Sequence, residues 1–253
     1  MKRQANWRQW STALVLGVGV ATTALPQTPP AASAAPATAQ SRNYAPGFTE
    51  RSAGSKLLVL PAEVELFSVS AGGVDQPRAD WTQLATDLIA KELHQRPALF
   101  GQGLQFLSED GADNAAEILQ LHKAVVRSVF VHHMVAGAYQ LPTKKGQLNW
   151  SMGDAVKPLR DATGADYALY VWVRDSYASA ERKAAMVAFA LLAGGVLSGG
   201  RQIAYASLVD LRSGQVVWFN SLSRASGDLR EPKGAQETVD TLLERFPPLA
   251  RAR

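Results

Sequence analysis

Tyr167 to Val173 constrain this chain more than any other stretch. Side chains alternate across a strand, so Tyr167, Leu169, Val171 and Val173 share one face while Ala168, Tyr170 and Trp172 share the other. Both faces are apolar. A strand of this kind needs cover on both sides, which implies a sheet between helical layers.

The flanking sequence supplies the rest of that sheet. Gln202 to Leu211 and Gln215 to Leu222 read as a hairpin joined by Arg212-Ser213-Gly214, with Gly214 adopting the positive φ of a bulged loop. Lys56 to Ser70 reads as a strand that Pro61 interrupts, followed by a turn from Ala71 to Pro77 and a short strand from Leu104 to Leu107. Asp80 with Gln83, and Asn114 with Glu117, form capping boxes. The first opens a helix with Trp81, Leu84, Ala85, Leu88 and Ile89 on one face; the second opens a helix that runs to about Ala138. Asp154 to Thr163 is a short helix with Pro158 in its first turn and Gly164 as its C-cap, and Gln236 to Phe246 is the last helix. This order predicts a single three-layer-like α/β domain over residues 56–248, with a mixed sheet, a C-terminal β-hairpin and a final helix.

The N-terminus has the three parts of a secretory signal: Lys2, Arg3 and Arg8, an apolar stretch from Ala13 to Leu25, and a small-residue region with cleavage sites after Ala34 or Ala39. Residues 1–39 are therefore expected to be a signal peptide and the protein to be periplasmic or otherwise exported. Residues 40–55, with few groups to bury, are expected to be a flexible leader. Removing the three leading cations leaves 23 basic against 22 acidic residues, so the mature chain offers no general pull toward nucleic acid. The chain has no cysteine, which excludes a lipidated N-terminal cysteine, disulfides and thiol catalysis.

The opening strand Leu-Leu-Val-Leu-Pro-Ala-Glu-Val-Glu-Leu (57–66), the strand from Gly164 to Val173, and above all the hairpin pattern Asp210, Gly214, Val216, Trp218 resemble a group of exported α/β domains. These are the curli-transport lipoproteins, the lipoprotein activators of penicillin-binding proteins and the amino-terminal domain of the Tol-system propeller protein. The resemblance spans about residues 56–246 and implies a non-catalytic role: binding another envelope protein, or assembling into an envelope complex. It carries over no binding residues. The missing cysteine departs from those lipoproteins.

Between the central strand and the hairpin lie seventeen uncharged residues, Ala184 to Gly200, bounded by Glu181, Arg182 and Lys183 and by Arg201. A membrane span here would place two sheet neighbours on opposite sides of the bilayer, and about 17 residues is the lower limit for crossing one. One expectation is an apolar helix packed across the sheet. The sharper one is an exposed helix for self-association or for docking on a membrane surface, with Arg182, Lys183, Met186, Phe189, Leu192 and Arg201 as its interaction residues.

No nucleophile elbow, phosphate loop, dinucleotide fingerprint or zinc-protease helix occurs, and no cofactor is expected. Glu63 and Glu65 share a strand face, where exposed edge acids are commoner than an acid–base pair. The four histidines are His94, His122, His132 and His133, and their spacing does not bring two ligands to one ion on a straight helix. A hydrolase would have to assemble its site from residues distant in sequence. The loop from Tyr139 to Ser151 is a further candidate for a partner-facing surface.

Overall fold

The structure is a computed structural model, described here for residues 42–135, 137–197 and 199–251. The expected signal peptide lies outside the described residues. A seven-stranded mixed sheet is built around β5 (Tyr167–Ala178). On one side of β5, β1 (Leu57–Val59) and β2 (Glu63–Val69) lie end to end and parallel to it, and on the other β6 (Gln202–Asp210) runs antiparallel. Short strands extend the edge beyond β1 and β2: β4 (Leu104–Phe106) beside β1, and β3 (Asp75–Pro77), within the expected turn, beside β2. β7 (Val216–Arg224) completes the hairpin with β6.

The break at Pro61 has a structural consequence that strand propensity does not show. Val59 pairs with Leu169 and Glu63 with Trp172, so the chain advances four residues while β5 advances three. One extra residue reverses the alternation. Leu57 and Val59 therefore share a core with Val64 and Leu66, and the Glu63 and Glu65 side chains are kept out of it.

One core lies between the sheet and α1 (Ala79–His94), α2 (Pro97–Phe100) and α7 (Pro232–Leu242). The other lies between the opposite face and α4 (Ala116–Val129) and α5 (Lys157–Thr163), with Tyr170, Val209 and Phe219 from the sheet. The three-layer α/β architecture is as the two-faced strand requires. Several boundaries differ from expectation because other groups take the capping positions. Asp80 pairs with Arg78 at 2.7 Å instead of capping α1. Ser108 caps α3 (Glu109–Asn114), which is separate from α4. After Val129 the helix passes into a π-helical turn ending at Met134. Pro232 at the first turn starts α7 earlier than the apolar stripe suggested.

Residues 42–55 correct the expectation of a flexible leader. Ala45 donates to the Val217 carbonyl at 2.9 Å, and Phe219 donates to the Asn43 carbonyl at 2.9 Å, so the segment covers the outer edge of β7. Farther along, the Arg51 side chain is fully buried and donates to the carbonyls of Pro247, Phe100 and Leu99 at 3.0, 2.8 and 3.0 Å. Its guanidinium also lies over the Phe246 ring. Polar composition hid a segment held by backbone and guanidinium hydrogen bonds together with a few apolar side chains, Tyr44, Ala45 and Phe48.

Candidate functional site

The insertion between β5 and β6 begins where β5 ends. Ser179 caps α6 (Ala180–Ala193) by accepting from Arg182 N at 3.1 Å, and alanine-rich sequence carries the helix to Gly194, which closes it in the left-handed region. The chain then turns back along the helix. Gly195 lies so close to the Phe189 ring that a Cβ would collide with it, and Met186 lies against Gly199. At the root, Arg201 donates from Nε and Nη2 to Ser223 Oγ at 3.1 and 2.8 Å, and Arg182 donates to the Ala71 carbonyl at 3.1 Å.

No residue of α6 is buried. The packed reading of this helix is thus corrected: both sheet faces are already covered by other helices, and the insertion leaves from the sheet's end with no apolar surface to meet. Exposure rises along its outward side, from 60% at Val187 through 81% at Leu191 and 89% at Leu192 to 94% at Val196. Phe189 is 41% exposed because the return segment covers one side of it. Of the six residues expected to make contacts, Lys183, Met186 and Arg201 line a cleft of about 330 Å³ at the root, with Arg182 beside it, whereas Leu192 lies at the far end. Val187, Leu191 and Val196 were missed. Their signal was available in the i, i+4 spacing of Val187 and Leu191, opposite the Met186–Phe189 stripe.

The floor of the root cleft is polar and tightly paired. Asp175 is buried and accepts from Ser176 N, Tyr177 Oη and Gln202 Nε2 at 2.8, 2.7 and 2.8 Å. Burial pushes its carboxyl pKa up, against the pull of those hydrogen bonds. Gln202 in turn accepts from Arg224 Nε at 2.7 Å, and Arg224 donates to Thr238 of α7 at 2.8 Å. This network fixes the insertion's root to the body.

A second cleft, also about 330 Å³, lies beside α4 and includes His122, Tyr170, Trp172 and Tyr205. His122 Nε2 is 2.7 Å from Ser207 Oγ, and its ring stacks on Tyr170 at 3.6 Å. This is the geometry of a packing contact: both side chains are buried, and burial pushes the imidazole pKa down to about 3, which makes it a weak base. Glu63 pairs with Lys123 at 2.7 Å. The remaining histidines are also engaged: His133 with the Arg42 carbonyl, His132 with the Tyr139 carbonyl, and His94 stacked on Phe106. Among the described residues no cluster of three or more His, Asp or Glu side chains could hold a metal ion, and no helix is long and apolar enough to cross a membrane.

No family model and no curated protein matches this chain. Among solved structures it is similar to the PelC dodecamer from Paraburkholderia phytofirmans, at 13% identity over 79% of this chain and 94% of that one, with a TM-score of 0.37. It is also similar to the LpoB C-terminal domain from Salmonella enterica, at 12% identity over 71% and 87% of the two chains and a TM-score of 0.28. Lipoprotein GNA1162 from Neisseria meningitidis matches at 17% identity, 73% and 90% coverage and a TM-score of 0.28.

Proposed function

We propose that this chain is an exported, non-catalytic component of the cell envelope, an adaptor or assembly part, and that α6 with its return segment is its working contact. The supporting observation is the exposure of four large apolar side chains, Val187, Leu191, Leu192 and Val196, on one short insertion. Export rests on the tripartite N-terminal sequence, and the domain division is residues 1–39 as signal and the remainder as mature protein. The contact takes another envelope protein, a second copy of the chain, or a membrane surface.

The test is photocrosslinking in the native envelope from a reactive side chain placed at Leu192, with Leu84 on α1 as the comparison site. A product specific to position 192 is expected, whether protein or lipid. Equal labelling from both positions would overturn the reading. A hydrolase would instead need an acid and a histidine within hydrogen-bond reach, and no carboxylate is bonded to His122 among the described residues.

A further inference from the structure

We infer that the α6 finger is a shallow membrane-docking element whose outward stripe enters the acyl–headgroup boundary of an anionic bilayer. The inference rests on the surface-contact reading above and names its partner. Three observations point to lipid.

The first is area. Burying an aliphatic side chain removes roughly 60 to 120 Å² from water, so Val187, Leu191, Leu192 and Val196 together offer on the order of 400 Å². A stable protein pair buries about 800 Å² on each partner. A second copy would need contacts beyond this finger, whereas a bilayer sets no minimum area.

The second is charge. Residues 181–201 hold Arg182, Lys183 and Arg201 against Glu181, a net +2, and every charge lies at the root. Lys183 has no ion-pair partner among the described residues, and Arg201 is hydrogen-bonded to a neutral serine. Apolar tip and cationic root fit acyl chains and anionic headgroups respectively.

The third is the return segment, which limits depth. Residues 195–197 and 199–200 belong to no helix or strand. Backbone N–H and C=O groups outside a ladder are costly in hydrocarbon, so this side must stay among hydrated headgroups. Only the opposite side, with Val187, Leu191 and Leu192, can enter; Val196 reaches in by its side chain alone, from a backbone kept at the headgroup level. The docking is therefore interfacial, in agreement with the absence of a spanning helix among the described residues.

The chain's lack of cysteine permits a direct test. Single cysteines at Leu192, Val196 and, as a control, Leu84 are labelled with an environment-sensitive dye on the mature protein. The protein is then mixed with vesicles of phosphatidylcholine containing about one-third phosphatidylglycerol, or with phosphatidylcholine alone. Blue-shifted emission is expected at 192 and 196 and not at 84, with quenching by shallow rather than deep brominated lipids. Co-sedimentation should fall about tenfold or more in Leu191→Asp/Leu192→Asp. It should fall about threefold or more in Lys183→Ala, in anionic vesicles only. Circular dichroism checks that the variants remain folded.

Unchanged emission at 192 and 196 with both vesicles would overturn the proposal. If the protein then forms a lipid-free oligomer that Leu191→Asp/Leu192→Asp dissolves, a second copy is the occupant and the surface-contact reading survives. If site-specific crosslinking from 192 is also absent, both fall.

Discussion

Residues 42–55 carry few apolar side chains and are held along the fold, whereas α6 carries an almost unbroken apolar run and is held only at its root. Composition measures what a segment could bury. Burial also needs a facing surface with matching groups. The leader meets two such surfaces: the open edge of β7, which needs backbone partners, and the carbonyls of Phe100 and Pro247, buried, and of Leu99, partly buried, which need donors. α6 meets none, because α1 and α7 cover one sheet face and α4 and α5 the other. The leader's order therefore follows from hydrogen-bond demand together with the packing of Tyr44 and Phe48 on the core, and the exposure of α6 follows from the lack of a facing surface.

The sharpest way to break this contrast is Arg51→Ala. It leaves two buried carbonyls and one partly buried carbonyl without donors at about 1 to 3 kcal/mol each, so a stability loss of about 5 kcal/mol is expected in urea unfolding. Arg51→Lys should recover only part of that, since one ammonium cannot reproduce the planar fork that reaches three carbonyls. A loss under about 1 kcal/mol for the alanine variant would mean the leader is held by its other contacts, those of Asn43, Tyr44, Ala45 and Phe48.

The two-sided strand, the hairpin and the layer order were legible because each is written in local alternation and turn chemistry: Tyr167 to Val173, and Gly214 between β6 and β7. The leader was not, since nothing local distinguishes an arginine that finds carbonyls some 50 and some 200 residues away from one in solvent. The bulge after Leu60 was half-legible. Pro61 marks an interruption, but whether the strand resumes in or out of phase depends on β5. The candidate contact residues fared similarly. The segment was recognisable from composition, while the choice of Leu191 and Val196 over Met186 depends on which side the return chain covers.

A second contrast concerns two of the buried titratable groups, His122 and Asp175. With its folded pKa depressed to about 3, His122 stays neutral while the unfolded chain takes up a proton below about 6.5. Its contribution is therefore lost as pH falls from about 6.5 to about 3, by about 5 kcal/mol at most. Asp175 has the opposite sign: its raised folded pKa means stability is lost as pH rises through that value. Comparing the pH dependence of His122→Gln with that of the parent isolates the histidine, and an unchanged slope would show that the imidazole takes up its proton in the fold as it does in the unfolded chain.

Gly214→Ala tests the hairpin. Its φ of +70° disfavours any L side chain, and a Cβ would strike the Gly153 backbone, so a loss of about 2 kcal/mol or more is expected in thermal unfolding.

The smallest expected effect is the most informative about α6. Val187→Gln, Leu191→Gln and Leu192→Gln replace side chains that are already 60 to 89% exposed, so little transfer free energy changes. Glutamine has nearly the helix propensity of leucine and more than that of valine, which leaves the helix itself intact. The triple variant should unfold within about 0.5 kcal/mol of the parent. Ile89→Ala in α1, fully buried, should lose about 3 kcal/mol under the same conditions. A large loss in the α6 variant would mean that the stripe is covered in the free protein by part of the same chain or by another copy. A small loss means that the apolar character of these three side chains adds nothing to the stability of the fold.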